Sequence, residues 1–114
     1  MANTFKAITK AGITSLDTIY TVAGSTTTVV LGLVLGNTTG SSVTATVTLS
    51  SDTANRAGAN NEANQDVEIV TNAPIPSASS LSVLDGKIIM EATDELKVSA
   101  SGATDVILSV MEQT

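Results

Sequence analysis

The chain has no cysteine and no histidine among its 114 residues. Lacking thiols, it has no disulfide framework and no thiolate metal site, and its redox compartment is left unread. Lacking imidazole, it has no Ser-His-Asp or Cys-His nucleophile pair, no Cys/His zinc centre and no haem ligation by histidine. Carboxylates are the strong acid–base groups that remain. Tryptophan is also absent, and aromatics make up 2% of the chain, as Phe5 and Tyr20. A sugar-stacking platform of rings is therefore not expected. Positive charge is scarce: Lys6, Lys10, Arg56, Lys87 and Lys97 face 11 acidic residues, for a formal charge of −6. Holding a phosphate backbone takes clustered Lys and Arg, so nucleic acid is not an expected partner. No apolar run approaches the roughly 20 residues that cross a bilayer, and no charged segment precedes an apolar core at the N-terminus. The expectation is a soluble chain without a secretory signal, a membrane partner or a cofactor.

What the chain does contain is aliphatic side chains in strand patterns. Thr26, Thr27 and Thr28 lead into an apolar run over residues 29–35. After a turn at Asn37, Thr38, Thr39 and Gly40, the residues Val43, Ala45, Val47 and Leu49 alternate with threonines. Strand side chains point alternately to opposite faces, so this reads as a hairpin of a half-buried antiparallel sheet. The run 29–35, apolar on both faces apart from Gly32, is the candidate for a central, doubly covered strand. Further strands are expected over residues 3–9, 15–22 and 66–71, the last stopped by Pro74 and Pro76. Asp85-Gly86 is expected to turn residues 81–84 into 87–91, and Ser101 to Thr104 to turn Leu96, Val98 and Ala100 into Val106, Leu108 and Val110. About eight strands in meander-like order predict an all-β antiparallel sandwich or jelly-roll-like domain. Residues 1–12 read as an arm or edge strand, and 13–114 as the sandwich. The core is built from Val, Ile, Leu and Ala, and such a thin core gains burial from neighbouring copies or a partner.

Several clusters could carry chemistry. Glu91, Asp94 and Glu95 form a carboxylate group near a turn, but an exposed, solubilising turn is the plainer reading, since catalytic carboxyls need burial to shift their pKa. Asp52, Asn60, Asn61, Glu62, Asn64 and Asp66 supply hard oxygens around the long stretch 51–65, in a spacing that matches no calcium loop. Gly32 and Gly36 fit a strand bulge better than a packed membrane helix, and the sequon at Asn37 sits where turns are rich in Asn and Thr anyway. Core packing is the first expectation for both aromatics, with Phe5 free to insert into a partner if the arm is mobile. Lys6 and Lys10 precede every acidic residue, so the N-terminal segment is opposite in sign to the body and suited to docking. The candidate contact residues are thus Phe5, Lys6, Ile8 and Lys10, together with Arg56, Asn60 and Asn61 in the long loop. No catalytic or metal-ligating residue is assigned.

Residues 17–37, the segment Asn72-Ala73-Pro74-Ile75-Pro76 followed by 81–84, and the ending 96–112 resemble the small all-β virion structural proteins of tailed bacteriophages, notably those of marine and cyanobacterial hosts. The resemblance implies a non-enzymatic, many-copy component of the particle. It would decorate or cement the capsid through its arm and sheet edges, with a neck, tail or baseplate role as the alternative. The implied partners are the major capsid protein, other virion proteins and copies of itself, as trimers or other clusters. The implied location is the virion, on the capsid surface before the tail. A receptor- or glycan-binding module, with contacts around Arg56 and Asn60, is the reading from a different class.

Overall fold

The computed structural model describes residues 2–52, 64–84 and 86–114. Its described elements are all strands: β1 (Asn3–Ile13), β2 (Asp17–Thr21), β3 (Thr27–Asn37), β4 (Val43–Ser51), β5 (Gln65–Ile75), β6 (Ser80–Ser82), β7 (Ile88–Met90), β8 (Glu95–Ala100) and β9 (Thr104–Gln113). No helix of the described residues is long and apolar enough to cross a membrane. The strands form two antiparallel sheets. One has the order β1-β9-β3-β6, with β7 also pairing β3, and the other β2-β8-β4-β5. Since β6 and β7 lie end to end along β3, at Val34 to Gly36 and at Thr28 to Val30, they act as one interrupted strand. Eight strand positions in two four-strand layers make an antiparallel jelly-roll sandwich, the expected class.

The connectivity is not a meander. Three of the expected hairpins are corners at which the chain leaves one sheet for the other or starts a new segment. β3 and β4 belong to different sheets, as do β8 and β9, and β6 and β7 both pair with β3 instead of with each other. The turn residues 37–40 and 101–104 are where they were expected, but their hydrogen bonds tie corners together, and Asp85 of the third turn lies outside the described residues. Ser101 N–H still donates to Thr44 O at 2.9 Å, and Thr38 N–H and its hydroxyl both reach Ala103 O. β4 and β5 are the consecutive strands that neighbour each other within one sheet.

Asn37 shows why the first corner holds. Its Nδ2 donates to Ser41 O at 2.7 Å, Ile75 O at 3.0 Å and Pro76 O at 3.2 Å, while Oδ1 accepts from Thr39 N–H and hydroxyl. One buried amide thus fastens the β3–β4 corner to the β5–β6 corner, and this nitrogen is not available to glycosylation in the folded chain. Replacing Asn37 by Ala removes the donor shared by Ser41 O, Ile75 O and Pro76 O, of which the Ile75 bond is buried, and this costs about 1–3 kcal/mol. A urea midpoint shift of that size, with an unchanged slope, is the expected measurement.

The core between the sheets is aliphatic. Leu33 and Leu35 of β3, Leu108 and Val110 of β9, Val47 of β4 and Val98 of β8 are all at or below 1% exposed. β3 is central in its sheet, between β9 and the β6/β7 pair, but it is covered on one face alone. A bulge falls between Val30 and Gly32, as expected for that glycine, and Leu31 is left 40% exposed. Among the described residues no third layer covers its outer face. β5 runs on past residue 71 to Ile75 because it is an edge strand, where Pro74 can sit opposite Thr44 without breaking a two-sided ladder.

Candidate functional site

The sandwich has two outer faces of opposite character. Residues directly opposite in a sheet share a face, so the registers define its rows. On the β2-β8-β4-β5 sheet one outer row reads Thr18, Lys97, Thr48, Glu68 and the next Thr21, Glu95, Ser50, Asp66. These rows carry both signs of charge and hydroxyls, with Lys97 and Glu95 3.8 Å apart.

The β1-β9-β3-β7 sheet differs. One outer row runs Phe5, Met111, Val29, Ile89 straight across four strands. The next is small, Ala7, Ser109 and Gly32, and the third reads Thr9, Ile107, Val34, Ser82. Phe5 is 74% exposed, Ile89 56% and Ile107 51%. Among the described residues, five of the seven exposed large hydrophobics lie on this face. The ionisable residue among its paired rows is Asp105, at one end, where its carboxylate accepts from Gly12 N–H at 2.9 Å. Lys87 lies outside these rows, just before β7. A broad apolar face with so little charge is unusual on a protein that stays alone.

The sequence-derived candidates fall on different surfaces. Residues 3–13 form the edge strand β1, hydrogen-bonded along β9. Phe5 is on the apolar outer face and not in the core. Lys6, Ile8 and Lys10 have the opposite parity and sit on the inner side of β1. Ile8 is half-buried and packs against the core. Lys6 Nζ pairs with Glu112 Oε1 at 2.8 Å. Lys10 is exposed, and inward-pointing lysines on an edge strand discourage another strand from pairing there. Arg56, Asn60 and Asn61 lie outside the described residues, as does Glu62 of the oxygen-rich loop. Among the described residues no group of three or more His, Cys, Asp or Glu could hold a metal ion, and the surface holds no pocket. Val29 and Val34 entered the sequence reading within the run 29–35, apolar on both faces but expected to be covered on both, and Ile89, Ile107 and Met111 were not singled out by it. Their signal was the unbroken triplets Ile88-Ile89-Met90 and Val106-Ile107-Leu108, in which strand alternation fails because both faces are apolar.

Of the carboxylates 91, 94 and 95, Asp94 is buried instead of solubilising its turn. Its Oδ1 accepts from Asp52 N–H at 3.1 Å and its Oδ2 from Glu91 N–H at 3.0 Å, while its carbonyl accepts from Val22 N–H. Side chain and carbonyl together tie this turn to the segments at Asp52 and Val22, so the residue has a structural use.

Tyr20, Glu112, Lys6 and Thr28 form a second cluster, which links β2, β9, β1 and β3. The Tyr20 hydroxyl donates to Glu112 Oε2 and meets Thr28 Oγ1 at 2.7 Å. Burial, then the bond to Glu112, pushes the Tyr20 hydroxyl up to about 12, so it stays a donor at neutral pH. The hydrogen bonds from Lys6 and then Tyr20 hold the Glu112 carboxyl below the usual carboxylate range. A lowered folded-state value means that the contribution of Glu112 is present above its unfolded pKa, about 4.3, and is lost as pH falls through the folded one. Glu112→Gln should therefore flatten the acid side of the stability–pH profile. Urea midpoints measured from about pH 6 downward check it, and an unchanged acid slope would count against the cluster.

No protein-family model matches the chain, and no curated protein matches it. Its fold is similar to that of a solved chain described as "Bacillus endospore appendages form a novel family of disulfide-linked pili". That similarity has a TM-score of 0.51 and 15% sequence identity, and covers 99% of this chain and 87% of that one. At that identity the likeness is one of fold.

Proposed function

We propose that this chain is a non-enzymatic structural subunit of a bacteriophage virion, which decorates or cements the capsid in many copies. One observation carries the reading: the sandwich is two-sided, with a charged outer face suited to water and an apolar, nearly uncharged one suited to being covered. That division is what a plate in a protein layer requires, and it needs no pocket or reactive group. The virion assignment itself rests on the resemblance of residues 17–37, 72–76 with 81–84, and 96–112 to small phage structural proteins.

A filament subunit is the second reading, because the structural neighbour is described as forming disulfide-linked pili. This chain has no cysteine, so copies in a filament would be held by packing alone. Gold-labelled antibody raised against the purified chain, applied to particles and cell surfaces of its source, separates the two readings. Regular labelling of capsids is the expected result. Labelled filaments would favour the second reading, and label on the tail or on no particle would overturn capsid decoration.

A further inference from the structure

We infer that the apolar outer face of the β1-β9-β3-β7 sheet is covered by the same face of a second copy, in a two-fold, face-to-face contact. The inference rests on the structural-subunit reading and supplies the partner for that face.

Charge is the first argument. Each copy carries a formal charge of −6, so two copies repel, and the least costly approach brings together surfaces from which no charge must be stripped of water. Covering the other sheet would desolvate Lys97, Glu95, Glu68 and Asp66. Covering this one leaves Asp105 at the periphery.

Relief is the second argument. The row Phe5, Met111, Val29, Ile89 forms a ridge, the row Ala7, Ser109, Gly32 a trough, and Ile107 with Val34 the next rise. Apart from its two chain neighbours, nothing lies within 4 Å of where a Cβ on Gly32 would stand, and the bulge residue Leu31, 40% exposed, is the large side chain at the β3 end of the trough. Successive outward rows are two residues apart, about 7 Å. A surface that alternates large and small at one spacing fits its own copy displaced by one row. A two-fold axis parallel to the rows makes that displacement, setting each ridge in the partner's trough. The contact is isologous and closes on itself.

Size sets the strength. Four strands about 4.8 Å apart and about eight residues long present on the order of 500 Å², less than the roughly 800 Å² per partner of a standard stable interface. The pair is therefore weak in solution and gains strength where many copies are held together.

Sedimentation velocity of the purified chain from about 10 µM to 1 mM tests this, since such weak pairs dissociate within that range. The expected result is mass rising reversibly toward the dimer. Ile107→Glu and Ile89→Lys, both at exposed positions, should each shift the association at least about tenfold to higher concentration. Thr44→Glu, on the other sheet, should leave it unchanged, with thermal melts showing all three folded. The inference is overturned if the wild-type chain stays monomeric throughout, if the two face variants associate like wild type, or if Thr44→Glu disrupts association equally. A chain that labels capsids yet stays monomeric refutes this contact alone. One that dimerises but labels no particle refutes the virion reading alone.

Discussion

Deletion of residues 2–12 is expected to abolish cooperative folding. β1 is in register with β9 from Asn3 opposite Gln113 to Lys10 opposite Val106, and it brings Ile8 against the core. It also carries Lys6, the partner of Glu112. Without it β9 becomes a bare ten-residue edge strand, apolar inward at Val106, Leu108 and Val110 and apolar outward at Ile107 and Met111. A long edge that is hydrophobic on both faces pairs with other chains. The lost ladder and burial are comparable with the whole 5–15 kcal/mol that holds a domain together. Circular dichroism melts and size exclusion of the truncated chain should show aggregation or no cooperative transition. A sharp melt near that of the full chain would show that β1 is dispensable.

The second large effect is expected at Leu108. It is fully buried, opposite Ile8 on one side and Leu33 on the other. The buried core holds no aromatic ring, so leucines, Ile75 and Met90 are its largest members. The core cluster that includes Leu108 is rich in β-branched side chains, whose stiff χ1 angles limit how far they can turn into a vacated space. Leu108→Ala should therefore fall in the upper half of the range for such truncations, about 3–5 kcal/mol. Leu108→Met, which keeps the volume, should cost less than about 1.5 kcal/mol. Urea denaturation of the two variants gives the comparison, and a loss of under about 1 kcal/mol for the alanine would mean that the site collapses freely.

Strand positions were legible because alternation leaves its mark in the residues themselves. Val43, Ala45 and Val47, or Leu96, Val98 and Ala100, could face inward in one way only. The pairing of strands was not legible in the same way. Asn37-Thr38-Thr39-Gly40 and Ser101-Gly102-Ala103-Thr104 announce a reversal of direction, but an inward-facing row looks the same whether the chain returns beside itself or crosses to the opposite layer. What decides it is tertiary: the three carbonyls gathered by Asn37 and the bond from Ser101 back to Thr44. The length of β1 was also underestimated, since Gly12, at φ +68, takes up an irregularity near the end of the strand. The apolar outer face could not be read from any one segment. Phe5, Val29, Ile89 and Met111 are far apart in sequence, and only the register assembles them into a row.

The pairing of β1 with β9 also has a consequence for biosynthesis. β1 is made before β9 and must wait for it before its hydrogen bonds can form, so the sandwich closes only after translation has passed residue 113. Until then β1 trails from an incomplete nascent chain, and the slow, non-local search typical of such topologies begins late. A stalled or truncated translation product would display unpaired β1, with Ile8 uncovered, to every other unfinished copy on the same polysome.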